Sequence, residues 1–280
     1  MIITEAGIYD GMTDAEYHAD PTIDGSLSTT GAKALLRSPA HYKWQIENRV
    51  EKSAFDVGHA AHALILGVGM EVAVFDHDSW RTKIAQEDRD NARLEGKVPM
   101  LEKDYAPIVA MAESVLAHPI ARSLLEQPGK AEQSMFAVDP ESGVWMRGRV
   151  DHLPDAGFGR TTMVDLKTAD SADPDDFDRV AAKYGYFIQD PWYQRLLTLT
   201  RGDDLIEFKF LLVEKTAPYL VSVCELDSEF ASIGCARMRR AIDTYKRCRD
   251  ANDWPGYSEM THLIGAPRWL AYEEEMEMVI

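Results

Sequence analysis

The sequence has 280 residues, of which 45% are hydrophobic and 28% are charged, a balance typical of a globular protein with a large buried core. The formal net charge of -17 at pH 7 argues against a protein that coats nucleic acid over its whole surface. A local basic channel for DNA remains compatible with that charge.

The sequence shows no sign of a membrane span or of a secretion signal. No apolar run approaches the roughly 20 residues that a transmembrane helix needs, and the N-terminal stretch lacks a basic region followed by an apolar one. We therefore expect a cytoplasmic protein with no membrane partner. The sequence contains only three cysteines, with no CxxC pair, which disfavours a disulfide framework or a zinc knuckle.

Helical periodicity dominates the first half of the chain. Ser28 is a candidate N-cap, and the helix that it begins stops near Pro39 or resumes beyond it. Further helices are predicted over residues 55–66, 80–94 and 103–125, the last interrupted at Pro119.

The apolar period changes from helical to alternating after residue 130, which indicates strands. A hairpin is predicted with strands over 135–138 and 144–153, and a third strand over 162–166. Asp173 begins a predicted helix. The remaining predicted elements are a helix over 186–200, strands over 206–213 and 219–225, and a long helix over 227–251.

These elements predict a single α/β domain over residues 1–280, with a mixed central sheet flanked by helices and with helical N-terminal additions. We expect a mainly helical part over 1–130, the catalytic sheet and helices over 131–225, and a C-terminal helix and tail over 226–280.

Two neighbouring predicted strands carry the residues that point to chemistry. Asp151 follows Val150 late in the first strand, and Asp165, Leu166 and Lys167 follow in the next. Because side chains alternate along a strand, Asp165 and Lys167 share one face. A D-x-K sequence alone also fits a strand-end salt bridge, so the second aspartate and the hairpin context decide the interpretation.

This arrangement could hydrolyse a phosphodiester. A divalent ion held by Asp151, Asp165 and the Leu166 carbonyl would polarise a phosphoryl oxygen and acidify a bound water. Lys167 would orient or deprotonate that water and offset charge in the transition state. Oxygen ligands favour Mg²⁺, for which Mn²⁺ can substitute, over zinc.

The pattern resembles the PD-(D/E)xK nucleases, with Val150 in place of the usual proline. Residues 58–64 are similar to the Gly-x-x-x-His helix of the RecB-like branch, and this resemblance implies His62 as a further metal ligand, with His59 as the alternative. Gln189 and Tyr193 match its Q-x-x-x-Y element.

Gln189 and Tyr193 are four residues apart and share a helix face, so they could contact a phosphate or brace Lys167. A polar patch beside a buried tyrosine is the other interpretation. Residues 27–33, followed by Ser38 and Pro39, resemble the S-x-S-x-L entry and the later S/T-P step of RecE-type (exonuclease VIII-like) phage exonucleases.

The resemblance to RecE-type enzymes implies Mg²⁺-dependent 5′ to 3′ degradation of linear double-stranded DNA, leaving 3′ single-strand overhangs for recombination by strand annealing. It further implies a ring-like homo-oligomer, a partner single-strand annealing protein that receives the overhang, and the host cytoplasm as location for a phage-encoded chain.

Arg147 and Arg149 share a strand face with Asp151 and could either hold DNA phosphates or neutralise carboxylates.

Three alternatives remain open from the residues. A structure-specific or sequence-specific endonuclease would use the same catalytic groups. An iron-sulfur nuclease of this superfamily is disfavoured because it needs four cysteine ligands and the sequence has three. A non-enzymatic alternative is a DNA-end-binding scaffold that kept the fold and lost turnover.

Overall fold

The computed structural model describes residues 2–48, 57–68, 71–157 and 159–268, and for residues 57–59 it describes the backbone alone. The helices in this part of the chain are α1 (Asp14–His18), α2 (Thr29–Arg37), α3 (Pro39–Glu47), α4 (Val57–Leu66), α5 (Lys83–Leu94), α6 (Glu102–Ala117), α7 (Pro119–Leu125), α8 (Phe177–Tyr184), α9 (Tyr186–Arg201) and α10 (Ser228–Ala251).

The strands form one large sheet and one small one. The large sheet contains β1 (Gly7–Tyr9), β2 (Ser26–Leu27), β5 (Gly129–Val138), β6 (Trp145–Pro154), β7 (Thr161–Ala169), β8 (Ile206–Glu214) and β9 (Val221–Cys224). The small sheet pairs β3 (Val72–Phe75) with β4 (Val98–Leu101) in parallel.

The large sheet has the order β1-β5-β6-β7-β8-β9, with β2 added parallel to β6. Strands β7 and β8 are parallel and are connected through α8 and α9, whereas β5 with β6 and β8 with β9 are antiparallel. The protein is therefore a mixed α/β fold with a central, mostly antiparallel sheet flanked by helices, as the sequence predicted.

Helices cover both faces of the large sheet. Strand β8 shows the division, because Phe208 and Phe210 enter the core formed with α2, α9 and α10. Leu211 and Val213 point the other way, into the core formed with α4, α6 and α7. This alternation buries β8 on both sides, as expected for a central strand with a parallel neighbour.

Local signals explain most helix boundaries. The Ser28 side chain caps α2, and Ser38 both ends α2 and caps α3, whose first residue is Pro39. The break between α6 and α7 falls at His118, directly before Pro119. These boundaries confirm the predicted helices, and α4 confirms the described part of the helix predicted over 55–66.

Sequence reasoning missed the five elements at the N-terminal side, α1, β1, β2, β3 and β4. Within the described ranges, no single helix is both long and apolar enough to cross a membrane. Among the residues that the structure describes, α6 and α7 taken together reach that length and composition, across a bend of 93°.

Candidate active site

The candidate site lies where β6 and β7 separate. The two strands pair at His152 and Val164, whereas β7 pairs with β8 over its whole length, from Thr161 to Ala169. Two residues beyond that pair on β7, the Leu166 N–H donates to Asp151 Oδ2 at 2.6 Å. The Asp151 carboxylate thus lies against the peptide bond that joins Asp165 to Leu166.

Asp165 and Lys167 share one face of β7, as predicted. Their neighbours Val164 and Leu166 point the other way and are buried in the core beneath α4 and α6. Lys167 Nζ contacts Asp165 Oδ2, and Gln189 Nε2 donates to Asp165 Oδ1. The Asp165 side chain is only 3% exposed, whereas Lys167 is 20% exposed, so the lysine is the member of the pair that solvent and substrate can reach.

The second aspartate lies in a strongly coupled environment. The pKa of Asp151 is raised to about 6: burial is the largest cause and the nearby Asp165 carboxylate adds to it, while His62, Lys167 and the Leu166 N–H act in the opposite direction. Two carboxylates that interact in a buried place disfavour each other's ionisation. A cation bound between them would relieve that repulsion.

Lys167 remains protonated in this environment. Burial lowers the pKa of the ammonium, but Asp165 and Asp151 outweigh burial, and the net shift is upward. The ammonium also lies 4.9 Å from the centre of the Tyr186 ring. Between these two carboxylates, Lys167 is therefore a cation suited to orienting an anionic group rather than a free base.

His62 reaches the site from α4 on the opposite face of the sheet. Its Nε2 donates to the Leu166 carbonyl at 2.8 Å, and its Nδ1 lies 3.7 Å from Asp151 Oδ2. The structure thus brings His62 to Asp151 and to the backbone of Leu166, the residue between Asp165 and Lys167. The side chain of His59, the alternative ligand, lies outside the described residues, so the choice of His62 as a metal ligand stays a prediction.

The donor atoms here fit a divalent cation by their chemistry. Asp165 Oδ2 is buried, and the Lys167 ammonium is its contact. Asp151, the Leu166 carbonyl and His62 complete a set of hard oxygen donors with one imidazole. Over the described ranges no three acidic, His or Cys side chains are yet grouped around one point, and ion binding would replace the hydrogen bond between His62 and the Leu166 carbonyl.

Gln189 and Tyr193 form their hydrogen bonds with Asp165 and with the backbone of β6 rather than with Lys167. Gln189 is bonded to Asp165, and the Tyr193 hydroxyl donates to the Arg149 carbonyl at 2.8 Å, two residues before Asp151 on β6. Burial raises the pKa of Tyr193 well above its usual value, so its hydroxyl remains a donor. Helix α9 therefore fixes both strands of the site.

The two arginines on β6 are committed to the N-terminal segment. Arg147 pairs with Asp20, and Arg149 pairs with Asp14. Both guanidinium groups also lie over the Tyr17 ring, at 5.6 and 4.5 Å. They neutralise carboxylates remote in sequence rather than Asp151, and the geometry lends no support to the expectation that they hold DNA phosphates.

Sequence reasoning missed two residues beside the site. The Lys167 ammonium lies over the ring of Tyr186. The Lys33 ammonium lies 5.9 Å from the centre of the same ring and donates to the Tyr184 carbonyl at 3.0 Å. Lys33 belongs to the N-terminal run that resembles the RecE-type entry motif, which was the available signal. The contact joins Lys33 to a residue 151 positions away in the chain, so no local sequence pattern predicts it.

The family described as "PDDEXK-like domain of unknown function (DUF3799)" matches residues 28–267. The chain belongs to this PDDEXK-like family. Nucleases of the PD-(D/E)xK type generally depend on divalent metal ions, in keeping with the donor set at Asp151 and Asp165. The match spans all the residues placed at the site, from Lys33 to Tyr193.

Solved structures show a similar fold. A crystal structure of a "Putative exonuclease" from Eubacterium rectale is 11% identical, with a TM-score of 0.60, over 92% of this chain and 96% of its own. LHK-Exo in complex with dAMP is 13% identical over 69% of this chain and 91% of its own, but its TM-score of 0.24 is too low for an argument. No curated protein sequence matches the chain. Family, fold and site together support a nuclease function.

Proposed function

We propose that this PDDEXK-like protein is a Mg²⁺-dependent 5′ to 3′ exonuclease that degrades linear double-stranded DNA and leaves 3′ single-strand overhangs for recombination by annealing. One observation carries the nuclease part of the proposal. Asp151, Asp165, Lys167 and His62 come from three separate elements and meet at the gap between β6 and β7.

Each residue has a defined task in this proposal. Asp151, Asp165, His62 and the Leu166 carbonyl would hold the ion, which supplies Lewis-acid activation of a phosphoryl oxygen and of water. Gln189 keeps Asp165 oriented through its amide. The Lys167 ammonium places positive charge where charge develops on the phosphoryl oxygens, and its raised pKa keeps that charge at neutral pH.

The direction and the DNA-end requirement rest on resemblance. The motif pattern is that of RecE-type enzymes, and the Eubacterium rectale protein of similar fold carries the name exonuclease. A ring-like homo-oligomer and a single-strand annealing protein as partner belong to the same proposal. Both would follow from a need to hold one DNA end through many cycles and to protect the overhang produced.

The test is to give the purified protein end-labelled linear duplex with Mg²⁺, with and without a 5′-phosphate. We expect loss of the 5′ label first, and no digestion of closed circular duplex. Cleavage of closed circles would instead identify an endonuclease of the same superfamily.

Asp165→Ala and Lys167→Ala should each abolish this cleavage while the protein stays folded, because one removes an ion ligand and the other the facing ammonium. Arg147→Lys is not a suitable control, since Arg147 is buried in its pair with Asp20. Lys97→Ala is suitable, because Lys97 pairs with Glu71 and Glu95 away from these residues in sequence. Unchanged turnover in Asp165→Ala would refute the proposed site, and a folded wild type without any Mg²⁺-dependent cleavage would identify a DNA-end-binding scaffold.

A further inference from the structure

A column of aromatic rings leads from the core of the protein to its surface beside Lys167. The buried Phe210 stacks on Tyr186 with ring centres 5.6 Å apart and an interplanar angle of 24°. Tyr186 in turn stacks on Tyr184, at 5.8 Å and also 24°. Tyr184 ends the column and is 50% exposed. The last ring therefore offers a π surface to solvent, next to the candidate active site.

Lysine side chains surround the outer end of this column. The Lys167 ammonium lies 4.9 Å from the Tyr186 ring centre, and Lys33 lies 5.9 Å from it. Lys183 lies 5.3 Å from the Tyr184 ring centre. We call Tyr184 and Tyr186, with these three lysines, the tyrosine ledge.

Lys33 is the lysine of the tyrosine ledge whose ammonium donates to a backbone carbonyl. Its ammonium donates to the Tyr184 carbonyl at 3.0 Å, and in the described part of the chain it forms no ion pair. Burial and the neighbouring Lys167 both lower its pKa, with Asp165 opposing them. Because Asp165 pairs with Lys167, it is the Lys33 ammonium, on the same tyrosine ring, that adds a positive charge without a carboxylate partner among the described residues, on a chain whose net charge is -17.

The backbone at Gly185 permits this arrangement. Gly185 has φ of 67°, and a Cβ there would lie 2.8 Å from Lys33 Cδ. Only glycine allows the left-handed turn between α8 and α9 and also leaves room for the lysine stem. The turn thus presents Tyr184 and Tyr186 as neighbours while Lys33 crosses over it.

We propose that the tyrosine ledge binds an unpaired nucleotide of the DNA strand whose phosphodiester lies at Lys167. An exposed aromatic ring flanked by cations is the combination that single-stranded nucleic acid recognises, with the base on the ring and the phosphates on the cations. A base stacked on Tyr184 displaces the flexible Lys183 side chain toward the adjoining phosphate. Bases within a duplex are stacked on each other, so the tyrosine ledge selects DNA with a frayed or single-stranded end. This inference rests on the proposed nuclease function for the identity of the substrate. The binding measurement that tests it does not depend on that function.

The test measures binding without cleavage. Fluorescence anisotropy in EDTA compares a labelled oligothymidylate with a blunt duplex of the same length. Replacing Tyr184 by leucine should weaken oligothymidylate binding about tenfold, since base stacking on an aromatic ring contributes on the order of 1–3 kcal/mol. Tyr184→Phe should bind as the wild type does, because the ring and not the hydroxyl carries the contact.

The matched control is Tyr257→Leu, which removes an even more accessible tyrosine, 72% exposed, from the C-terminal segment. It should leave both affinities unchanged. The proposal is overturned if Tyr184→Leu binds oligothymidylate normally, if Tyr184→Phe is as weak as Tyr184→Leu, or if the duplex loses as much affinity as the single strand. Because the readout is binding in EDTA, a wild type that binds oligothymidylate but fails to cleave DNA in Mg²⁺ would refute the nuclease proposal and leave the tyrosine ledge supported.

Discussion

The contacts of His62 lead to a direct test of its role as a metal ligand. It reaches the Leu166 carbonyl at 2.8 Å from the far side of the sheet and lies beside Asp151. Replacing His62 by alanine should therefore weaken Mn²⁺ binding at least about tenfold, since a donor next to the Asp151 carboxylate is lost. Isothermal titration calorimetry at fixed pH measures this change directly.

A second histidine provides the control for that experiment. His77, in the segment between β3 and α5, pairs with Asp88 of α5 at 2.8 Å, and this part of the chain contributes none of the proposed ligands. His77→Ala should keep the wild-type affinity for Mn²⁺. Normal Mn²⁺ binding by His62→Ala would contradict the ligand assignment, and His59→Ala would then be the variant to measure.

Asp190 is a buried carboxylate next in sequence to Gln189. Asp190 is 4% exposed, and its carboxylate accepts a hydrogen bond from Gln194 Nε2. Burial raises its pKa to about 6, against the weaker lowering effect of Gln194 and with a further increase from Glu225. The folded pKa exceeds the unfolded value, so Asp190 subtracts stability as pH rises from about 4 through 6, and the whole loss is present above 6.

Asp190→Asn should remove that loss. We expect the free energy of unfolding to rise by about 3 kcal/mol at pH 8, and by less at pH 5, where the folded carboxyl is already largely protonated. Urea denaturation at the two pH values measures the difference. Asp24→Asn, at an exposed turn, should change neither value. An equal effect of Asp190→Asn at both pH values would contradict the assigned pKa.

Helix α9 is the element that holds the site together, and its packing on β6 depends on a glycine. A Cβ at Gly148 would lie 2.2 Å from Tyr193 Cε1 and 2.8 Å from Leu196 Cδ1. Gly148→Ala must therefore push α9 away from β6. We expect a loss of about 1–3 kcal/mol in the free energy of unfolding, because overpacking displaces neighbours that have no space to move into.

The same displacement should reduce DNA cleavage in the folded protein, because α9 also positions Gln189 against Asp165. Urea denaturation and the end-label assay together measure both effects. At Gly256 a Cβ would meet only Ala40 Cβ at 3.8 Å, an ordinary contact, so Gly256→Ala serves as the control. A stable Gly148→Ala protein with full activity would show that α9 tolerates a different distance from β6.

The elements that the sequence predicted are those with a local cause. The period of apolar residues, the cap at Ser28 and the prolines at 39 and 119 each act within one or two turns of chain. The missed strands have no such cause. Strand β2 contains only two residues, and β1 pairs with β5 across more than a hundred residues of chain. Their conformation depends on partners that periodicity cannot reveal.

The candidate site divides in the same way. Asp165 and Lys167 were predictable as a pair because strand alternation fixes their common face. The gap between β6 and β7, through which His62 reaches Leu166, is a property of the sheet and has no signature in either strand. The commitment of Arg149 to Asp14 likewise depends on where the N-terminal segment folds back.

The charge of the whole molecule confines where DNA can bind. A net charge of -17 repels phosphate over most of the surface, so DNA contact should concentrate where three lysines gather, at the tyrosine ledge. Each phosphate neutralised contributes about 0.9 to the slope of log K against log salt. With Lys33, Lys167 and Lys183 as the contacts, we expect a slope of roughly -3 for duplex with a frayed end, and Lys33→Gln should make it shallower by about one.

Anisotropy titrations over a series of KCl concentrations in EDTA measure this slope. Lys97→Gln is the control, because Lys97 is neutralised by Glu71 and Glu95 and should leave the slope as it is. A slope of roughly -8 or steeper would require many more phosphate contacts than the three lysines of the tyrosine ledge supply, and would favour a DNA-binding groove that forms when several copies of the chain assemble. The salt dependence therefore separates recognition by one local site from recognition by an assembled ring.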